Sequence, residues 1–351
     1  MSGVDVPDSR VAGFRPQRLG RARGPGGAGA GKKSGPGKKR QTARRNSLMG
    51  ATSDSHVGKS GFRALLGALP FITPSFIGVV LFLIVPVIAL FVISLLNWSL
   101  FTPATFEGFR NYLNIFTFDG AGHSIGVTLY YVLLNIPLQT VVALGLAILL
   151  NRKRPLMGFY RVLYVFPYLS TPVATAVIWY WVFDPKLGAV NTLLAHIGIT
   201  GPQWLSSSRW AMPVVALVNI WQYVGYNMLF FLAGLQAIPR QLYEAAEIDG
   251  AGPIKQFFRI SLPLLNSTTL FVLVTGVIGS FQVFDTLYVL TQGGPGNSTE
   301  VLNLRIYQVA FTDFRLGEAA AMSVVLFAII LVFTIGQFLF FNNRTTYEYS
   351  A

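Results

Sequence analysis

The chain contains no cysteine. That excludes disulfides, thiolate metal sites and cysteine nucleophiles. Charge is also scarce. Only 12% of the 351 residues are Asp, Glu, Lys or Arg, where a soluble domain carries about a quarter. This argues against an ordinary soluble enzyme. Acids are the scarcer sign, with 14 Asp+Glu against 27 Lys+Arg and a formal charge of +13. Such a surplus suggests a nucleic-acid binder until it is located. Residues 1–63 hold 14 of the basic residues and three acids, whereas residues 64–351 hold 13 and 11. A basic tail therefore precedes a nearly neutral body, in a chain that is 52% hydrophobic.

Long apolar runs are what the body has in abundance. A bilayer span needs about 20 mostly apolar residues. Six runs qualify: Phe76–Trp98, Val127–Leu150, Val162–Phe183, Met212–Leu235, Leu265–Leu290 and Ala319–Phe341. One run could be a buried core helix, but six in one chain predict an all-α integral membrane protein with six transmembrane helices. Basic loops stay cytoplasmic. With the N-terminus inside, 22 Lys/Arg lie inside and five outside, so both termini are expected in the cytoplasm (N-in/C-in).

Residues 1–63 are rich in Gly, Pro, Lys, Arg and Ser, and no apolar period runs through them. The expectation is a disordered cytoplasmic tail preceding a membrane domain at 64–351. No apolar run begins within the first 30 residues, so a signal peptide is not expected. The stretch Gly26 to Lys33 nearly matches a phosphate-binding loop, but Lys33 stands where a metal-binding hydroxyl is required. No strand–helix pattern surrounds it. The cluster Lys38, Lys39, Arg40, Arg44 and Arg45 suits anionic membrane lipid, at about 1 kcal/mol per charge near the surface. No aromatics are interleaved for base stacking, so no nucleic-acid partner is expected.

Inside the membrane, charges cost at least about 2.5 kcal/mol and are usually functional. Five runs carry no Asp, Glu, Lys, Arg or His; the fifth carries Asp285. The three histidines, His56, His123 and His196, fall outside the runs. No proton relay, nucleophile–base pair or metal cluster is expected, so the chain is read as no enzyme. Uphill transport would have to draw energy from a partner. The polar residues that do occur form stripes. Asn219, Gln222, Tyr223, Tyr226 and Asn227 share one helical face. Asn135 and Gln139, with Tyr131 before them, recur every four residues around Pro137, and Gln282 and Asp285 are three apart. Interhelical hydrogen bonding would account for any one of these residues, at about 0.6 kcal/mol each. For the stripes together, a path for neutral hydroxylated solutes is expected, because amides and phenols supply donors and acceptors without a counter-charge.

The segment 236–264 has its own pattern. Pro239 opens a helix through Gln241–Ile248, and Asp249–Gly250 ends it, since glycine accepts the left-handed conformation. Pro253 suits the first position of a second helix, which Phe257, Phe258 and Ile260 anchor and Pro263 stops. The prediction is a helix–turn–helix elbow on the cytoplasmic face.

Glu244-Ala245-Ala246, then Gly250, then Ile260 and Pro263 resemble the EAA loop, at every position, in the membrane subunits of binding-protein-dependent ATP-binding-cassette (ABC) importers. The resemblance covers residues 64–351. Gly108–Tyr112, Trp221–Ala251, Phe284–Gly296 and Leu316–Ser323 are similar to the carbohydrate-uptake, maltose-type branch. That branch's extra N-terminal spans and large outer domain have no counterpart here, so its specific sugar contacts are not carried over. The resemblance implies a permease that imports a neutral sugar or oligosaccharide across the cytoplasmic membrane. It implies a second homologous permease, two ABC ATPase subunits that bind ATP and Mg, and an extracytoplasmic solute-binding protein. This chain would bind no cofactor itself. Glu244, Ala245, Ala246, Asp249, Gly250, Ala251, Phe257 and Pro263 would form the ATPase-coupling surface. The alternatives are a permease for glycerol phosphate or another small solute, an amino-acid or peptide importer, a stand-alone channel or carrier, and a membrane anchor.

Overall fold

The computed structural model describes residues 69–117, 120–152 and 154–342, without the side chain of residue 342. The basic tail, its near-match to a phosphate-binding loop and its lipid-attracting cluster lie outside the described residues. All that follows concerns one unit, Phe71–Ala351, together with the helical residues 69 and 70.

Four helices are long and apolar enough to cross a bilayer. They are α1 (Leu69–Ile93), α3 (Ala121–Leu150), α7 (Ala211–Ala237) and α13 (Leu316–Asn342). Two bent pairs bring the number of candidate spans to six. In the first, α4 (Met157–Leu169) meets α5 (Pro172–Val182) at 98°. In the second, α9 (Pro253–Leu264) meets α10 (Asn266–Phe281) at 65°. Shorter elements join them: strands β1 (Leu96–Ser99) and β2 (Thr102–Phe106), and helices α2 (Arg110–Thr117), α6 (Ala189–His196), α8 (Arg240–Ile248), α11 (Asp285–Leu290) and α12 (Leu302–Phe311).

Four features differ from the sequence-based expectation. First, the fold is not purely helical. The first run ends as a helix at Ile93, and its last residues, from Leu96, enter an antiparallel hairpin pairing Leu96 with Phe106 and Asn97 with Thr105. Second, the run Val162–Phe183 is broken. Pro167 and Pro172 each remove a backbone donor, and the exposed groups find side-chain partners. Thr171 Oγ1 accepts from the Ala174 N–H at 3.3 Å, and Gln222 Nε2 donates to the Ser170 carbonyl at 3.1 Å. Third, the run Leu265–Leu290 stops at Phe281. Phe284 sits at φ −143°, and Asn303 Nδ2 donates to the Gln282 carbonyl at 2.9 Å, replacing a lost helical bond. Fourth, Pro263 does not stop its helix. A π-turn at Phe257–Ser261 comes just before it and absorbs the missing donor, and the chain bends only after Leu264.

The segment after α5 is held by Asp184. Its carboxylate accepts the backbone N–H groups of Leu187 and Lys186 at 2.8 and 2.9 Å, which holds it below the usual carboxylate range. The aromatic chain Trp179–Phe183–Trp204–Trp210 then packs this segment back onto α5.

The core has two apolar clusters. One takes Val127, Val132 and Ile136 from α3, Met212–Val218 from α7, and Val277 and Phe281 from α10. The other takes Ala143 and Ala147 from α3, Val224–Leu235 from α7, and Val272 from α10. Along all three helices, polar residues lie between the clusters. These are Gln139, Asn219 and Gln222, and Thr275, with Asn135 and Ser280 just inside the first cluster. A polar belt thus divides the apolar core.

Candidate functional site

A cavity of about 260 Å³ opens at this belt, walled by α3, the α4–α5 break, α7, α10 and the start of α11. Seven sequence-predicted path residues line it: Gln139, Asn219, Tyr223, Tyr226, Asn227, Gln282 and Asp285. Two do not. Asn135 lies behind the wall, 1% exposed, and its Nδ2 reaches Ser280 Oγ at 3.0 Å, Asn219 Oδ1 at 3.2 Å and Gln139 Oε1 at 3.3 Å. It joins α3, α7 and α10 at one point. An amide has two N–H groups for these three acceptors. Gln222 is also 1% exposed and braces the α4–α5 break. Buried oxygens remain unpaired on both residues, as does the Tyr131 hydroxyl.

Sequence reasoning missed the other walls. Tyr168 stacks on Tyr226 with ring centroids 4.4 Å apart and meets Tyr223 edge-on at 5.7 Å. Pro172, Thr275, Ser280, Phe284 and Thr286 also line the cavity. A signal for Tyr168 existed. Pro167 and Pro172 bracket it within an apolar run, and prolines inside a span mark the non-helical backbone that membranes admit only beside protein or a cavity. Close packing closes the wall. A Cβ at Gly225 would come within 1.9 Å of the Tyr164 carbonyl oxygen, so only glycine lets α7 lie against α4.

The second predicted site is the elbow. Pro239 precedes α8, and Pro253 is the first residue of α9. Gly250 sits at φ +73°. The Ala251 N–H donates to the Ala246 carbonyl at 2.8 Å and the Gly250 N–H to the Glu247 carbonyl at 3.0 Å. This is the Schellman ending, whose left-handed residue favours glycine. The Tyr243 hydroxyl and Ser261 Oγ, 2.9 Å apart, tie the two arms together. Glu244 pairs with Arg240 at 3.2 Å, yet both side chains are more than half exposed. Such a pair contributes only about 0.3–0.5 kcal/mol and exchanges readily for another partner.

Glu244, Ala245, Asp249 and Gly250 are exposed, whereas Ala246, Ala251 and Phe257 are half-buried. Pro263, though exposed, belongs to the last turn before the bend. Five of the eight predicted coupling residues are thus exposed and three half-buried. Exposed apolar side chains that were not predicted as site residues, Ile248, Ile254 and Phe258, flank the turn.

Residues 139–345 match the family described as the binding-protein-dependent transport system inner membrane component. This chain belongs to that family. It is a multi-pass inner-membrane permease subunit of an ABC transporter, and such subunits are not themselves enzymes. The stand-alone channel or carrier and the membrane-anchor readings fall away. Three relatives give the scale of similarity. The probable ABC transporter permease YurN of Bacillus subtilis (strain 168) is 34% identical over 278 residues, 78% of this chain and 95% of the relative. The sn-glycerol-3-phosphate permease UgpA of Yersinia pestis is 36% identical over 246 residues, 69% of this chain and 82% of the relative. The sulfoquinovosyl glycerol permease SmoG of Agrobacterium fabrum is 35% identical over 269 residues, 76% of this chain and 87% of the relative. In fold, the chain is similar to a chain of a bacterial ABC transporter that imports the acidic polysaccharide alginate. The TM-score is 0.72 at 22% identity, covering 82% of this chain and 99% of that one.

Proposed function

We propose that this permease imports a neutral sugar or oligosaccharide. Relatives named for glycerol phosphate, sulfoquinovosyl glycerol and alginate support a sugar-like cargo in general. The observation that carries the finer reading is the cavity wall. Its lining supplies amides, phenols, hydroxyls and the Asp285 carboxylate, and among the described residues no Lys, Arg or His. A phosphate-bearing solute would require a fixed cation there, while a polyhydroxylated neutral one requires donors and acceptors.

The remaining assembly follows the family pattern. Six spans run with both termini inside, the two bent pairs each counting as one span. A second related permease completes the pathway. Two ATPases engage the two elbows, with Glu244 offered to a basic residue and Gly250 allowing close approach. A solute-binding protein delivers cargo from outside, and ATP and Mg stay on the ATPases. Gentle purification of the tagged chain after crosslinking, with identification of co-purifying proteins, tests this assembly. The expected result is an ATPase and a second permease, with a binding protein that takes neutral sugars. Absence of any ATPase, or a binding protein whose tightest ligand is an anion, overturns the corresponding part.

A further inference from the structure

We propose that Asp285 is the charge filter of the cavity, admitting neutral and cationic sugar-like solutes and repelling anionic ones. The inference deepens the neutral-sugar reading and rests on it for the identity of the cargo.

Among the described residues, Asp285 is the one carboxylate lining the cavity, and no basic side chain lines it. Among the described residues no ion pair reaches it, and it is exposed rather than packed away. Its negative charge is therefore not neutralised locally. The two apolar clusters on either side of the polar belt lower the dielectric around it. In such a cleft, a field of one sign is focused and not spread through water. The remaining wall groups hydrogen-bond either sign of partner, so they do not discriminate by charge.

A plainer reason for an acid here is its place in the first turn of α11, where it favours the helix dipole. That helix has only six residues. A dipole role acts on stability and is read in the melting temperature, whereas a filter acts on the solute's charge, so the two are told apart by what Asp285→Asn changes.

The cysteine-free sequence provides the probe. Gly279 lines the cavity, and a Cβ added there meets nothing within 4 Å. Gly279→Cys would therefore place this chain's sole thiol in the site. The full chain, in its membrane complex, is labelled with 2-(trimethylammonium)ethyl or 2-sulfonatoethyl methanethiosulfonate. The ratio of the two rates is normalised to that of free cysteine. The expected cation-to-anion ratio is raised about tenfold. It collapses toward one in Asp285→Asn and persists in Asp285→Glu. An unchanged ratio in Asp285→Asn, or an equal fall in Asp285→Glu, overturns the proposal. So does failure to label both Gly279→Cys and Gly276→Cys, since a second open glycine lines the same wall. Labelling needs neither cargo nor ATP. An error in the sugar assignment would therefore show in uptake and leave this ratio intact.

Discussion

The cavity and the elbow are built on opposite principles. The elbow is local: the consecutive residues 239–264 carry their own helix starts and turn, and hydrogen bonds such as that of Ala246 with Ala251 run between neighbours. The cavity is assembled from five elements far apart in sequence, and its key contact, Asn135 to Ser280, spans 145 positions. The elbow leaves Glu244 and Asp249 exposed, where the proposed ATPase contact would lie. The cavity turns polar groups inward, where each must find a partner or contain space. In the cavity, therefore, damage to structure and damage to transport are expected together; in the elbow they are expected apart.

The strongest test of that contrast is Gly225→Leu. The side chain would strike the Tyr164 carbonyl and separate α7 from α4. Overpacking of this kind typically costs about 1–3 kcal/mol. The expected outcome is a clear drop in melting temperature of the detergent-solubilised complex, with uptake abolished; an unshifted melting point would mean that the wall is not closed by this contact. Asn135→Leu comes next. It removes the donor shared by Gln139, Asn219 and Ser280. Interhelical hydrogen bonds in membranes average about 0.6 kcal/mol and reach about 1.7 kcal/mol, so the loss should be about 1–2 kcal/mol, with uptake down at least about tenfold. Retention of both would reduce this cluster to passive packing. The smallest structural effect belongs to Gly250→Ala. A Cβ there meets nothing within 4 Å, so only the positive φ resists it, at about 1–2 kcal/mol confined to the turn. Global melting should hold, while sugar-stimulated ATP hydrolysis by the complex falls several-fold. Glu244→Ala should act the same way without the turn penalty. Equal loss of melting temperature and coupling in these variants would erase the distinction between the two regions.

Legibility in the sequence followed the same division. Pro239, Gly250 and Pro253 stand where a helix start, a left-handed turn and a second start require them, because each acts on its own backbone. The long runs behind α3, α7 and α13 were equally plain, since burial in lipid demands apolar residues throughout. The ends of runs were less so. The first run passes from helix to hairpin, and the fifth breaks at Gln282–Phe284, with only isolated polar residues such as Asn97 and Gln282 to mark either place. Seven of the nine polar path residues line the cavity, because their periodicity already placed them on shared faces. Gln222 follows the same period but turns to the Ser170 carbonyl. Periodicity gives the face of a helix and not the neighbour that the face meets.

By itself, then, the sequence determined the membrane class, the charge asymmetry, the elbow and the uncharged character of the polar stripes on α3 and α7. These depend on composition and on interactions within a few residues. Only the tertiary structure decided that two runs are bent and that Tyr168 stacks on Tyr226. It also decided that Asn135 sits behind the wall rather than in it, and that Asp285 faces a cavity without a cation. Those outcomes depend on which distant groups satisfy a backbone or side chain that the local sequence leaves unpaired.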